Sequence, residues 1–171
     1  MFGDGFLFVY DKSNILAAIT NLAKKDASQE HCAIGIARIH NEDITACVSI
    51  LESCFLDSFG CSCSKYSYTI PASPIIALFS LCQKSDTVPT IIHTHAPDLH
   101  SQGKVFFSEQ DHCYFSKLSS IARNEWSLPF LFTIVTNGIY TKYCLYNTAT
   151  SKANLWEEKL WMKIFPTLLF S

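Results

Sequence analysis

Val88-Pro-Thr-Ile-Ile-His-Thr-His95 is the stretch on which the fold reading turns. Its β-branched residues predict a strand over 88–95, and alternate side chains of a strand share a face. His93 and His95 therefore point the same way and Thr94 the opposite way. Two imidazoles one residue apart, aimed at a common point, are ligand types for a divalent transition metal, zinc first among them. Taken alone, such a pair is more often a core or surface feature than a ligand set.

Working outward, Ser108-Glu-Gln-Asp111 opens a segment whose apolar residues Tyr114, Phe115, Leu118, Ile121 and Ala122 recur at helical spacing. Asp111 then falls in the first turn of a helix, where its carboxylate could close the ligand set. The same Ser-x-x-Asp spacing also reads as a helix-capping pair that only satisfies backbone donors. Both readings stand at this point.

Upstream, residues 6–10 read as a strand. Residues 13–25 read as an amphipathic helix with Ile15, Leu16, Ile19, Leu22 and Ala23 on one face. Two strands at 32–39 and 44–51 are joined by a polar hairpin connection. A Ser/Gly/Cys-rich loop over 53–63 leads to a further strand at 64–70, then to an apolar helix over 74–83 that feeds the His-x-His strand. Downstream, strands at 130–136 and 139–146 flank Asn137-Gly138, the favoured two-residue hairpin turn. A closing helix is expected over 154–165, followed by an apolar tail at 166–170 that must pack on the body or on a protein partner. Strands interleaved with helices predict one α/β layered domain over residues 1–171, with a mixed, curved sheet flanked by helices and a core spanning about 6–146.

Composition narrows the function classes. The chain has 171 residues, 49% hydrophobic and 16% charged, which excludes a disordered polypeptide. A net charge of −2 gives no broad basic surface, so no nucleic-acid partner is expected. No apolar run reaches membrane-spanning length. The N-terminal stretch lacks a basic leader and a cleavage pattern, so a cytoplasmic location is expected, with export by a leaderless route left open. The eight cysteines (Cys32, Cys47, Cys54, Cys61, Cys63, Cys82, Cys113, Cys144) then read mostly as free thiols. Cys54, Cys61 and Cys63 form a candidate second metal cluster, but no distal Cys-x-x-Cys pair completes it.

His93-Thr-His95-Ala-Pro97 followed by Ser108-x-x-Asp111 resembles the JAMM signature of the MPN-domain metalloproteases. That signature is completed by a glutamate well upstream, near the start of the strand after the first helix. Glu30-His-Cys32-Ala-Ile-Gly35 occupies that place, and the resemblance extends over most of the chain. Ala33 stands where the family often has glycine, and twelve residues separate His95 from Ser108, more than the family pattern has. A rival cluster adding Asp98 and His100 is similar to the metallo-β-lactamase motif, but its spacing does not match.

The JAMM resemblance implies an MPN (JAB-like, cytidine-deaminase-like) layered domain. It implies one Zn²⁺ per chain held by His93, His95 and Asp111, with water in the fourth position and its pKa lowered toward ~7. Glu30 is then the general base, and Ser108 the hydrogen-bond donor to the tetrahedral oxyanion. The implied activity is hydrolysis of a peptide or isopeptide bond, with a protein or peptide substrate such as a ubiquitin or ubiquitin-like conjugate. The alternative is a non-catalytic MPN-like interaction module using the C-terminal apolar tail and the Cys-rich loop.

Overall fold

The computed structural model describes residues 6–26, 28–42, 45–56, 62–63, 68–95, 105–150 and 152–157. In chain order the elements are β1 Phe6–Asp11, α1 Ile15–Lys25, β2 Cys32–Glu42, β3 Thr45–Phe55, β4 Ser62–Cys63, β5 Tyr68–Thr69, α2 Ala72–Ser85, β6 Val88–Thr94, α3 Glu109–Trp126, β7 Phe130–Thr136, β8 Thr141–Asn147 and β9 Lys152–Glu157. Seven strands form one mixed sheet in the order β1-β3-β2-β6-β7-β8-β9. The expected α/β class with a mixed sheet is what the chain adopts.

β6 is the middle strand, and every one of its residues is buried. It runs antiparallel to β2 and parallel to β7. A parallel pair needs a crossover connection, and α3 is part of it. Helices cover both faces, which is why β6 reads as an almost continuous apolar run. On one face Ile15 and Ile19 of α1 pack against Val48, Ile50, Ile92 and Phe132. On the other, Phe79 of α2 and Phe115 of α3 meet Ile34, Ile91 and Leu131. Phe79 and Phe115 are fully buried, each worth about 2–3 kcal/mol relative to exposure. No helix among the described residues is long and apolar enough to cross a membrane.

The structure departs from the sequence-based expectations at three places. Of the strand expected over 64–70, Tyr68–Thr69 pair as a strand with Ser62–Cys63, which fall in the expected loop, Ile70 lies past the strand end, and residues 64–67 lie outside the described residues. The β7–β8 connection spans residues 137–140 rather than two, because Thr136 pairs with Thr141. Asn137 builds this turn: its Oδ1 accepts from the Ile139 and Tyr140 amides at 3.0 and 2.9 Å, and Gly138 takes φ +86°.

The third departure is the C-terminal helix expected over 154–165. Residues 152–157 are instead a strand, β9, antiparallel to β8. Backbone pairing with the otherwise open edge of β8 outweighs the helical reading of this segment. The remainder of the expected helix and the 166–170 tail lie outside the described residues.

Candidate metal centre

β6 carries His93, and His95 directly follows its last residue, Thr94, one position short of the strand expected over 88–95. His93 lies on the α2/α3 face beside Ile91 and Phe115, fully buried, and the His95 side chain is 22% exposed. Their Nε2 atoms are 3.2 Å apart. The first turn of α3 brings in Asp111, with Oδ1 3.3 Å from His93 Nε2 and Oδ2 3.1 Å from His95 Nε2. The ligand atoms of the three residues all lie within 4.8 Å of one another. Donors bound about 2.0–2.1 Å from a tetrahedral centre lie roughly 3.3 Å apart, so these separations fit a zinc-sized ion.

Asp111 owes its place to helix capping. Ser108 is the N-cap of α3: its Oγ accepts the Asp111 amide at 3.1 Å, and Asp111 Oδ2 accepts the Ser108 amide at 2.7 Å. This is a reciprocal capping box. The Ser108 hydroxyl also donates to Asp111 Oδ2 at 2.7 Å. The capping reading of Ser-x-x-Asp is thus realised, and the same carboxylate faces the two imidazoles. Asp111 does not face outward as a capping acid usually does; it is 5% exposed.

The surroundings set the charge states. Burial acts to raise the Asp111 pKa, but hydrogen bonds from His93 and His95 outweigh it and hold the carboxyl well below its ordinary range. Burial lowers the His93 pKa, which favours the neutral ring. His95 is also lowered by burial, yet its bond to Asp111, the charges of Asp111 and Glu30, and the Phe106 backbone carbonyl raise it on balance. The carbonyl contact is the kind of outer-shell acceptor that fixes which imidazole nitrogen faces a metal. The carboxylate thus favours positive charge on His95 while burial disfavours it on His93.

Glu30 immediately precedes His31 and β2 and is 5% exposed. Burial pushes its pKa up to about 7, opposed by the charge of His95 and reinforced by that of Asp111. It is therefore poised near neutrality and close enough to sense both residues. His93, His95, Asp111 and Ser108 meet at this corner, and Glu30 lies near enough for its charge to act on those of His95 and Asp111. Asp98, His100 and Cys61 lie outside the described residues. Cys54 is an exposed free thiol, and among the described residues no second metal-ligating group of three converges.

Sequence reasoning missed the aromatic wall. The Tyr68 ring lies 4.8 Å from that of His93, at 33° to it, and Phe115 and Phe107 approach His93 at 5.7 and 6.1 Å. Phe115 was visible as a core position of α3. Tyr68 gave no local signal, because its strand is two residues long in a Ser/Cys-rich stretch.

Compared with models of known protein families and with curated proteins, the chain matches none.

Proposed function

We propose that this chain is a zinc-dependent hydrolase of peptide or isopeptide bonds with an MPN-like arrangement of its site. One observation carries the reading. Two imidazoles and a carboxylate converge at tetrahedral separations, with a second buried carboxyl, poised near neutrality, beside them. Three protein ligands with room for one more is the pattern of a catalytic rather than a structural zinc.

In this reading His93, His95 and Asp111 hold the ion. Bound there, zinc supplies an acidified water and a Lewis acid for the amide carbonyl. Glu30 takes the proton from the attacking water on its carboxylate and hands it to the leaving amine. Ser108 has two roles to reconcile. Its hydroxyl hydrogen is committed to Asp111 Oδ2, so stabilising an oxyanion requires that hydrogen to swing away from the carboxylate. The burial of His93 and Asp111 keeps bulk water from competing for the metal. The substrate class proposed is a protein or peptide amide, with ubiquitin and ubiquitin-like conjugates as the first panel.

The test is metal analysis followed by cleavage assays. The expected result is about one zinc per chain and cleavage of at least one conjugate or peptide, abolished in Glu30→Gln. Zinc binding without cleavage of any conjugate or peptide would favour a non-catalytic interaction module.

A further inference from the structure

The residue between the two histidines faces away from the metal corner. Thr94 is 1% exposed, and its amide donates to the His31 carbonyl at 2.9 Å. In a regular antiparallel pair of this kind the His31 amide would return the bond to the Thr94 carbonyl. It does not. It donates to the Thr94 hydroxyl, Oγ1, at 2.7 Å. Regular β2–β6 pairing begins only at Cys32–His93, so the hydroxyl replaces a backbone acceptor at the point where the two strands part. The peptide held this way is the one that joins His31 to Glu30.

We propose that Thr94 is a positioning residue, whose hydroxyl interrupts the strand pairing so that the Glu30 carboxyl faces His95 and Asp111. This rests on the hydrolase reading above. The His-x-His segment then acts in two ways. The side chains at 93 and 95 hold the metal, while the side chain at 94, on the opposite face, sets where the base begins. Valine has nearly the same shape but no acceptor. In Thr94→Val the His31 amide loses the Thr94 hydroxyl as an acceptor, so the peptide that joins it to Glu30 is no longer held at that point.

The test uses the full chain loaded with Co²⁺, as wild type, Thr94→Val, Thr94→Ser, Glu30→Gln and the Thr94→Val/Glu30→Gln double variant. Thr94→Ala, which also lacks the hydroxyl and adds no bulk, is carried alongside in case the valine protein does not fold. Three quantities are read: exchange of the His31 amide, cobalt affinity, and the pH midpoint at which the visible bands change. Thr94→Val and Thr94→Ala should bind cobalt within about threefold of wild type, the level expected when a change is not coupled to the ligands. They should exchange the His31 amide at least tenfold faster (about 1.4 kcal/mol of lost protection) and displace the pH midpoint. Thr94→Ser should restore both readings, and in the Glu30→Gln background the valine change should leave the midpoint where Glu30→Gln alone puts it.

A midpoint unmoved by Thr94→Val and Thr94→Ala, or an equal displacement with and without Glu30, overturns the positioning role alone. A wild-type chain that develops no cobalt spectrum overturns the metal reading on which it rests, and is told apart because every variant is then equally silent.

Discussion

Two concave regions share the α2/α3 face of the sheet, and they differ in what lines them. One is a cleft of about 530 Å³ between α2 and strands β2 and β3, walled by residues such as Ile34, Ile36, Leu56, Leu78 and Leu81. The other is the corner at the end of β6, where His93, His95 and Asp111 meet and Glu30 lies near. The cleft is mostly apolar, and although Glu52, Ser53, Cys54 and Ser73 also line it, among the described residues no metal-ligating group of three converges there. The corner has four titratable side chains acting on one another. The two regions should therefore respond to substitution in separate ways.

The largest expected effect is at the corner. Replacing both histidines, His93→Ala with His95→Ala, should weaken zinc binding by far more than the roughly 10- to 100-fold typical of losing an outer partner of a ligand. Equilibrium dialysis with metal analysis reads this directly. Retained stoichiometric zinc in that protein would place the metal elsewhere. Next comes Glu30→Gln, which should leave zinc in place and reduce turnover by about 10²- to 10⁴-fold, the usual contribution of a positioned general base.

Glu30 also makes a prediction about pH. Its folded pKa lies above the ordinary glutamate value, so between the two the folded, metal-free chain holds a proton that the unfolded chain has released. The stability this brings is present at pH below the unfolded value and is lost as pH rises through about 7. Denaturant titrations of the metal-free protein should show the decline, and Glu30→Gln should flatten it. A slope of the opposite sign would mean that the carboxyl is not buried as described.

The cleft supplies the contrasting case. A Cβ added at Gly35 would sit 2.6 Å from the Glu52 carbonyl oxygen, a backbone atom that cannot rotate aside. Gly35→Ala should cost about 1–3 kcal/mol of stability, as overpacked sites do, with zinc affinity unchanged. If it lowered zinc affinity as strongly as the histidine changes, the two regions would not be independent. The smallest effect on stability is expected from Ser108→Ala, which removes one side-chain cap from α3 at about 1 kcal/mol in thermal or chemical unfolding. It tests whether the capping bond contributes measurably to stability.

What could be read from the letters alone follows the range of the forces involved. β6 and the start of α3 were legible because strand alternation and the Ser108 cap act over a few residues. Three of the five site residues followed from them directly. Glu30 did not; nothing near it marks an ordinary acid as a buried one, and only the wider motif resemblance pointed there. β9 was misread because pairing with an open sheet edge depends on β8, not on local spacing. Tyr68 and the Thr94 hydroxyl were hidden for the same reason: each matters through a partner far along the chain, His93 in one case and His31 in the other.

The reciprocal bonds between Ser108 and Asp111 have a further consequence for reading kindred sequences. A related chain that holds no metal would still use both residues to start its third helix, so selection for foldability would preserve them in the absence of any metal chemistry. The imidazoles have no such second employment in nucleating secondary structure. Among relatives, an intact His-x-His is therefore the informative signature, and a surviving Ser-x-x-Asp by itself testifies only to a well-begun helix.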